Sequence, residues 1–137
     1  MQPRPAVAVF DFDGTLTDVP WPYWSGPDAV PNPAVAELVA RLAVAGVRVV
    51  VLSGRPEAHR RDVERWLATH GVGVHEVILR PPTTPDNGPQ DVAAYKRAHV
   101  AGRIEREHVL LFADDEPAAR AAVASLGVPV LDPTGTP

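Results

Sequence analysis

Short, β-branched apolar runs alternate along this chain with stretches of helical spacing, and few folds accept that alternation. Residues 5–10, Val47 to Leu52, His75 to Leu79, Val109 to Phe112 and Val128 to Leu131 are too short for surface helices. They read as strands, and the most continuously apolar of them as strands covered on both faces. Asn32-Pro33 opens a helix in which Val35, Leu38, Val39 and Leu42 recur at i, i+3, i+4 and i+7, with Gly46 as its stop. A second helix carries Val63, Trp66, Leu67 and His70 on one face and ends near Gly71. A third runs from Asp91 to Ala101 with Val92, Tyr95 and His99 on one side. A fourth spans Pro117 to Leu126 with Ala119, Ala122, Val123 and Leu126 inward. Strands and helices in this order predict an α/β fold: a five-stranded parallel sheet with helices on both faces. Proline-rich stretches at 16–32 and from Arg80 to Gln90 can only be loops.

A chain of 137 residues is long enough to bury a real core, and one domain over residues 1–137 is expected. Its formal charge of −4 argues against binding nucleic acid through a broad basic face. A phosphorylated small molecule, or one end of a nucleic acid, remains compatible with that charge. With no cysteine, disulfides and thiol chemistry are excluded. Ala6 to Phe10, the apolar run before Asp11, is too short for a signal peptide or a membrane span. A cytoplasmic protein without membrane contact is the expectation.

In a parallel sheet of this kind, ligands bind beyond the carboxyl ends of the strands. The unusual polar residues all fall there. The first strand ends in Asp11-Phe12-Asp13-Gly14-Thr15, the second in Ser53-Gly54-Arg55, and the fourth in Asp114-Asp115. Asp11 and Asp13 stand at i and i+2 and leave one face of the strand unless the chain curls. Crowded carboxylates repel, so they call for a cation or a shared proton. One reading makes Asp11 a nucleophile towards phosphorus and Asp13 an acid and then a base, with Gly14 as the turn and Thr15 fixing Asp13. The other makes the pair a strand-ending turn. Asp114 and Asp115 suit Mg²⁺ together with Asp11 and Asp13, or cap the following helix. Ser53 and the amides near Gly54 can hold phosphoryl oxygens, and Arg55 can grip a phosphate with two prongs. Lys96 can neutralise the carboxylates and the phosphoryl group, with Arg97 or Arg80 as competitors for that role. Trp21, Tyr23 and Trp24 either line the mouth of the site or pin the loop that carries them.

Taken in order, Asp11-Phe12-Asp13-Gly14-Thr15, Ser53, Lys96 and Asp114-Asp115 resemble the motifs of the haloacid dehalogenase (HAD) superfamily of phosphohydrolases. The resemblance covers Val7 to Leu131. It implies a HAD-like, Rossmann-like three-layer sandwich without a large cap domain. It further implies Mg²⁺-dependent phosphate transfer, with Asp11 as nucleophile and Asp13 as acid and base. Val49-Val50-Val51-Leu52-Ser53-Gly54-Arg55, the Asn32-Pro33 helix start and the paired Asp114-Asp115 look like the 3′-phosphatase domain of polynucleotide kinase-phosphatases. They are also similar to stand-alone HAD proteins of the RNA-repair type. On that resemblance the substrate is a nucleotide or polynucleotide 3′-phosphate, and a kinase or another repair enzyme is the expected partner. A small-molecule phosphomonoesterase, a receiver-like signalling domain and a non-catalytic phosphate-binding module are the alternatives. The receiver reading is disfavoured because Ser53 stands where such a domain carries its aspartate.

Overall fold

Five parallel strands form one sheet in the order β3-β2-β1-β4-β5. The computed structural model describes residues 3–20 and 28–135. Trp21, Tyr23 and Trp24, the expected aromatic cluster, lie outside the described residues. The strands are β1 (Ala6–Phe10), β2 (Arg48–Pro56), β3 (Glu76–Arg80), β4 (His108–Ala113) and β5 (Val130–Leu131). The helices between them are α1 (Pro33–Val44), α2 (Arg60–Thr69), α3 (Pro89–Ile104) and α4 (Pro117–Ala124).

Alternation of side chains along the strands divides the core in two. Ala8 and Phe10 of β1, with Val49 and Val51 of β2, pack beneath Val35 and Val39 of α1 and Val63, Trp66 and Leu67 of α2. Val7 and Val9, with Val50 and Leu52, face Ala93 and Val100 of α3 and Ala119 and Val123 of α4. Every one of these strand residues is fully buried, which is why the runs are apolar at each position. The chain moves outward from β1 through β2 to β3, then returns to the other side of β1 as β4. That reversal opens a crevice at the carboxyl ends, where this topology places ligands.

Several element boundaries differ from the sequence expectation; helix α3 runs Pro89–Ile104 and not from Asp91 to Ala101, and α4 ends at Ala124 and not at Leu126. Strand β2 continues through Ser53, Gly54 and Arg55 to Pro56, with a register irregularity against β3 after Leu52. Strand β5 begins at Val130 and not at Val128; Pro129 has no N–H to offer a ladder. Helix α3 buries Ala93, Lys96, Val100 and Arg103, while Val92, Tyr95 and His99 are only partly covered. Its inward face contains two cations, so apolar periodicity points one residue away from it.

The loop after β1 is pinched shut at its base. Thr17 and Pro31 form an antiparallel bridge, Asn32 N–H donates to the Leu16 carbonyl at 2.8 Å, and Asp18 N–H to the Val30 carbonyl at 2.9 Å. The Trp66 indole N–H fixes Ala29 through its carbonyl at 2.8 Å. Among the described residues, no helix is long and apolar enough to cross a membrane.

Candidate active site

The first motif curls as soon as β1 ends. Asp13 has ψ of 127° and Gly14 a φ of +73°, which break the turn from Phe12 to Leu16 out of helical geometry. A side chain at Gly14 would be strained by that φ. Its Cβ would also stand 2.3 Å from an Asp115 carboxylate oxygen. Glycine is therefore what lets the β4 loop close over the β1 loop. The curl also separates Asp11 and Asp13, which sequence spacing alone would send to one side.

Asp11 faces the sheet's centre. Its Oδ1 accepts from Lys96 Nζ at 2.8 Å and its Oδ2 from the Thr15 hydroxyl at 3.2 Å. Lys96 also donates to Asp114 Oδ2 at 2.6 Å. Lys96 is only 3% exposed and Asp114 is fully buried, so each charge depends on the others for compensation. Oxygens of Asp11, Asp114 and Asp115 lie within 4.8 Å of one another. Such hard donors at such spacing suit a divalent cation of the Mg²⁺ type. The carboxylate of Asp13 lies elsewhere and does not join this group.

Burial pushes Asp11 up to about 7, against the pull of Lys96 and with the neighbouring Asp115 charge adding to the rise. Asp114 is raised to about 6, first by burial and then by Asp11, again against Lys96. Asp115 is raised chiefly by burial, although its hydrogen bond with Asp11 works the other way. These upward shifts are what crowded, buried carboxylates give. Burial by itself would lower Lys96, but Asp11 and Asp114 outweigh it and the ammonium is held more firmly than usual.

Asp13, in the turn after β1, is held from β2. Arg55 donates from Nε to Asp13 Oδ2 and from Nη2 to Oδ1, both at 2.8 Å. This is a two-pronged guanidinium–carboxylate pair with both partners buried. The guanidinium also lies 5.5 Å from the centre of the Phe12 ring, and its Nη1 is 3.3 Å from His59 Nδ1. Each Asp13 oxygen keeps a second lone pair for a proton. Arg55 was expected on a phosphate; the structure puts it on Asp13.

Thr15 also differs from expectation. Its hydroxyl steadies Asp11, not Asp13, and accepts the Asp115 N–H at 3.2 Å, tying the β1 and β4 loops together. With that oxygen engaged, Thr15 is not aimed at a phosphate. Ser53 accepts the Arg55 N–H at 3.0 Å and lines the cavity beside Gly54. Gly54 is needed there because a Cβ would meet a Val92 methyl at 2.8 Å. The cap of α4 is Glu116, whose side chain accepts the Ala118 N–H at 3.3 Å. Asp114 Oδ1 accepts the Glu116 N–H at 3.0 Å. Arg120 holds the Asp114 carbonyl at 2.9 Å.

These groups surround a cavity of about 380 Å³. Its lining includes the acidic residues Asp11, Asp13, Asp86, Asp114, Asp115 and Glu116 and, among the described residues, Arg55, Arg80 and Lys96 as cations. Sequence reading missed Asp86 and Glu116, and offered Arg80 only as a rival to Lys96. Arg80 follows an apolar strand as Asp11 and Ser53 do, so the rule that located those residues would have found it.

An α/β sheet with a buried aspartate–lysine pair and a carboxylate cluster at its switch point is the arrangement of a HAD-type phosphatase. A family model, the polynucleotide kinase PNKP phosphatase domain, matches residues 5–127, and the chain belongs to that family. A comparison with curated proteins finds no match. Among solved structures, the chain is similar to one from a Pnkp1/Rnl/Hen1 RNA repair complex, at 23% identity and a TM-score of 0.81. That match covers 93% of this chain and 42% of the other, so the present chain spans less than half the length of that relative. D,D-heptose 1,7-bisphosphate phosphatase of B. bronchiseptica, solved with magnesium and phosphate, is 20% identical with a TM-score of 0.67, over 91% of this chain and 78% of that one. A haloacid dehalogenase-like hydrolase of Streptococcus pneumoniae is 12% identical with a TM-score of 0.61, over 92% and 83% of the two chains. At these identities the structural matches establish a shared fold.

Proposed function

We propose that this chain is a Mg²⁺-dependent phosphomonoesterase that works through an aspartyl-phosphate on Asp11 and removes a terminal 3′-phosphate from a nucleic-acid end. The observation that carries the reading is the division of labour between the two aspartates. Asp11 sits among Lys96, Asp114 and Asp115, and Asp13 is held apart by Arg55. Asp11, Asp114 and Asp115 would hold the ion. When bound, Mg²⁺ would supply positive charge against the phosphoryl oxygens.

A carboxylate oxygen of Asp11 attacks phosphorus as the bond from phosphorus to the leaving oxygen breaks, and Asp13 delivers a proton to that oxygen. Asp13, now a carboxylate, takes a proton from water as the water attacks phosphorus. The Asp11–phosphorus bond breaks and inorganic phosphate leaves. Lys96 compensates charge on Asp11, and the Ser53 hydroxyl and nearby amides take phosphoryl oxygens. Family membership supports the nucleic-acid end as substrate. A kinase or ligase that completes the repaired end is the corresponding partner, and a cytoplasmic setting fits both.

The test uses p-nitrophenyl phosphate and 3′- and 5′-phosphorylated oligonucleotides, each with and without Mg²⁺. Phosphate release from the 3′ end and not from the 5′ end supports the substrate. With p-nitrophenyl phosphate, Asp13→Asn is expected to release a burst of about one nitrophenolate per site and then stall, because an activated leaving group departs without an acid whereas water still needs a base. Full steady turnover by Asp13→Asn would refute the two-carboxylate mechanism.

A further inference from the structure

Of the three cations lining the cavity, two cannot meet a substrate without abandoning a buried carboxylate. Lys96 serves Asp11 and Asp114 at 2.8 and 2.6 Å, and those side chains are 8% and 0% exposed. Arg55 serves Asp13, whose side chain is 7% exposed. Breaking either pair strands a charge away from water, which is strongly unfavourable.

Arg80 is different. Its guanidinium is fixed by Nε on the Gly54 carbonyl at 2.9 Å and by Nη1 on the Thr84 carbonyl at 3.1 Å. Among the described residues its one ionic partner is Asp86, reached from Nη2 at 3.2 Å, with a side chain that is 40% exposed. Asp86 can return to water at little cost. Arg80 therefore stands held in place, in the cavity wall, with one prong on a partner it can exchange.

Position decides what it would exchange for. Asp11 follows β1, Ser53 lies in β2, and Arg80 ends β3, the next strand out. Neighbouring strands lie about 4.8 Å apart, so the backbone of Arg80 stands on the order of 10 Å from that of Asp11, and its guanidinium reaches back over β2 to the Gly54 carbonyl. The guanidinium therefore stands beside the position a phosphoryl group takes at Asp11, and not at it. It suits a negative group about one nucleotide along a chain. Residues 16–40, which include the loop after β1, contain no Lys or Arg to take that group instead.

We propose that Arg80 is a specificity-determining residue that accepts the phosphodiester next to the terminal 3′-phosphate in exchange for Asp86. The proposal rests on the phosphatase reading above, and the test separates the two. The substrates are a dinucleotide 3′-phosphate and the same compound with an uncharged methylphosphonate in place of its internal phosphodiester, both with Mg²⁺.

The wild-type protein is expected to favour the charged compound about tenfold in kcat/KM, mainly through KM. Arg80→Gln should erase that preference, Arg80→Lys should restore part of it, and Asp86→Asn should enlarge it by removing the competitor. Asp86→Asn touches only a half-exposed rim residue, so it tests the exchange even if Arg80 variants fold poorly. Equal rates on the two compounds by the wild-type protein, or a parallel fall on both in Arg80→Gln with no change of ratio in Asp86→Asn, would overturn the role of Arg80 alone. Release of phosphate from neither compound would overturn the phosphatase reading and this proposal together.

Discussion

Helix α3 buries two cations on one face, seven residues and about 10 Å apart, and they do different things because they reach opposite ends of the sheet. Lys96 points to the carboxyl ends, where it holds Asp11 and Asp114. Arg103 points to the amino ends, where it grips both oxygens of Glu107 at 2.8 and 3.1 Å, meets Glu76 at the start of β3, and donates Nε to His99 at 2.9 Å. Every nitrogen of Arg103 is satisfied within the protein. Among the described residues its carboxylates meet no other partner, and the cluster clasps α3 to the sheet's lower edge. At the other end, three crowded aspartates share one lysine. One end is paired for stability, whereas the other keeps a charge deficit that a cation can fill.

The largest expected effect lies at the deficient end. Asp11→Asn removes the proposed nucleophile and should lower kcat by at least about 10³-fold. The same change removes a crowded charge, so the melting temperature at pH 8 without metal should hold or rise. An active Asp11→Asn protein would break the comparison at its centre. Next come the two cations themselves. Lys96→Met should cost about 10²-fold or more in kcat. Arg103→Met should leave kcat within about threefold below its melting point, yet lose roughly 3–5 kcal/mol of stability by stranding Glu107. Denaturant unfolding and steady-state kinetics on both variants decide it. An Arg103→Met protein that is folded but inactive would show that the two ends are coupled.

Much of this contrast was legible in the sequence, because strand ends are marked by an abrupt change from apolar to polar residues. That change located Asp11, Asp13, Ser53 and Asp114-Asp115 at one edge. Local spacing does not say which cation meets which carboxylate. Arg55 and Asp13 are 42 positions apart and Lys96 and Asp11 are 85, so their pairing is a product of the completed sheet. The buried face of α3 was hidden for the same reason: Lys96 and Arg103 are inward only because carboxylates from other elements receive them. Proximity in sequence places Thr15 beside Asp13, but the curl at Gly14 turns its hydroxyl to Asp11.

A smaller effect is expected where the site is paired like the clasp. Arg55 reaches both oxygens of Asp13 with a planar fork, which an ammonium cannot reproduce. Arg55→Lys should therefore keep the charge but lose the alignment, lowering kcat about tenfold with little change in KM for p-nitrophenyl phosphate. A rise in KM with kcat intact would instead mean that Arg55 binds the phosphate, as sequence position first suggested.

The smallest effect is a shift in stability with pH, and its sign distinguishes a site awaiting a cation from a clasp. Asp11 and Asp114 are raised from 3.8 to about 7 and about 6 in the folded chain. The folded state then binds protons more tightly than the unfolded one between those values. Stability from these groups is fully present below about pH 4 and is lost as pH climbs through 6 and 7. A divalent ion on Asp11, Asp114 and Asp115 replaces the missing proton, so it should help most where the proton is gone. Millimolar Mg²⁺ is expected to raise the melting temperature by a few degrees at pH 8 and hardly at all at pH 5. Asp115→Asn should abolish the rise, and Arg103→Met should keep it on a lower baseline. An equal rise at both pH values would mean that the ion binds elsewhere and that the charge deficit at the carboxyl ends is not its site.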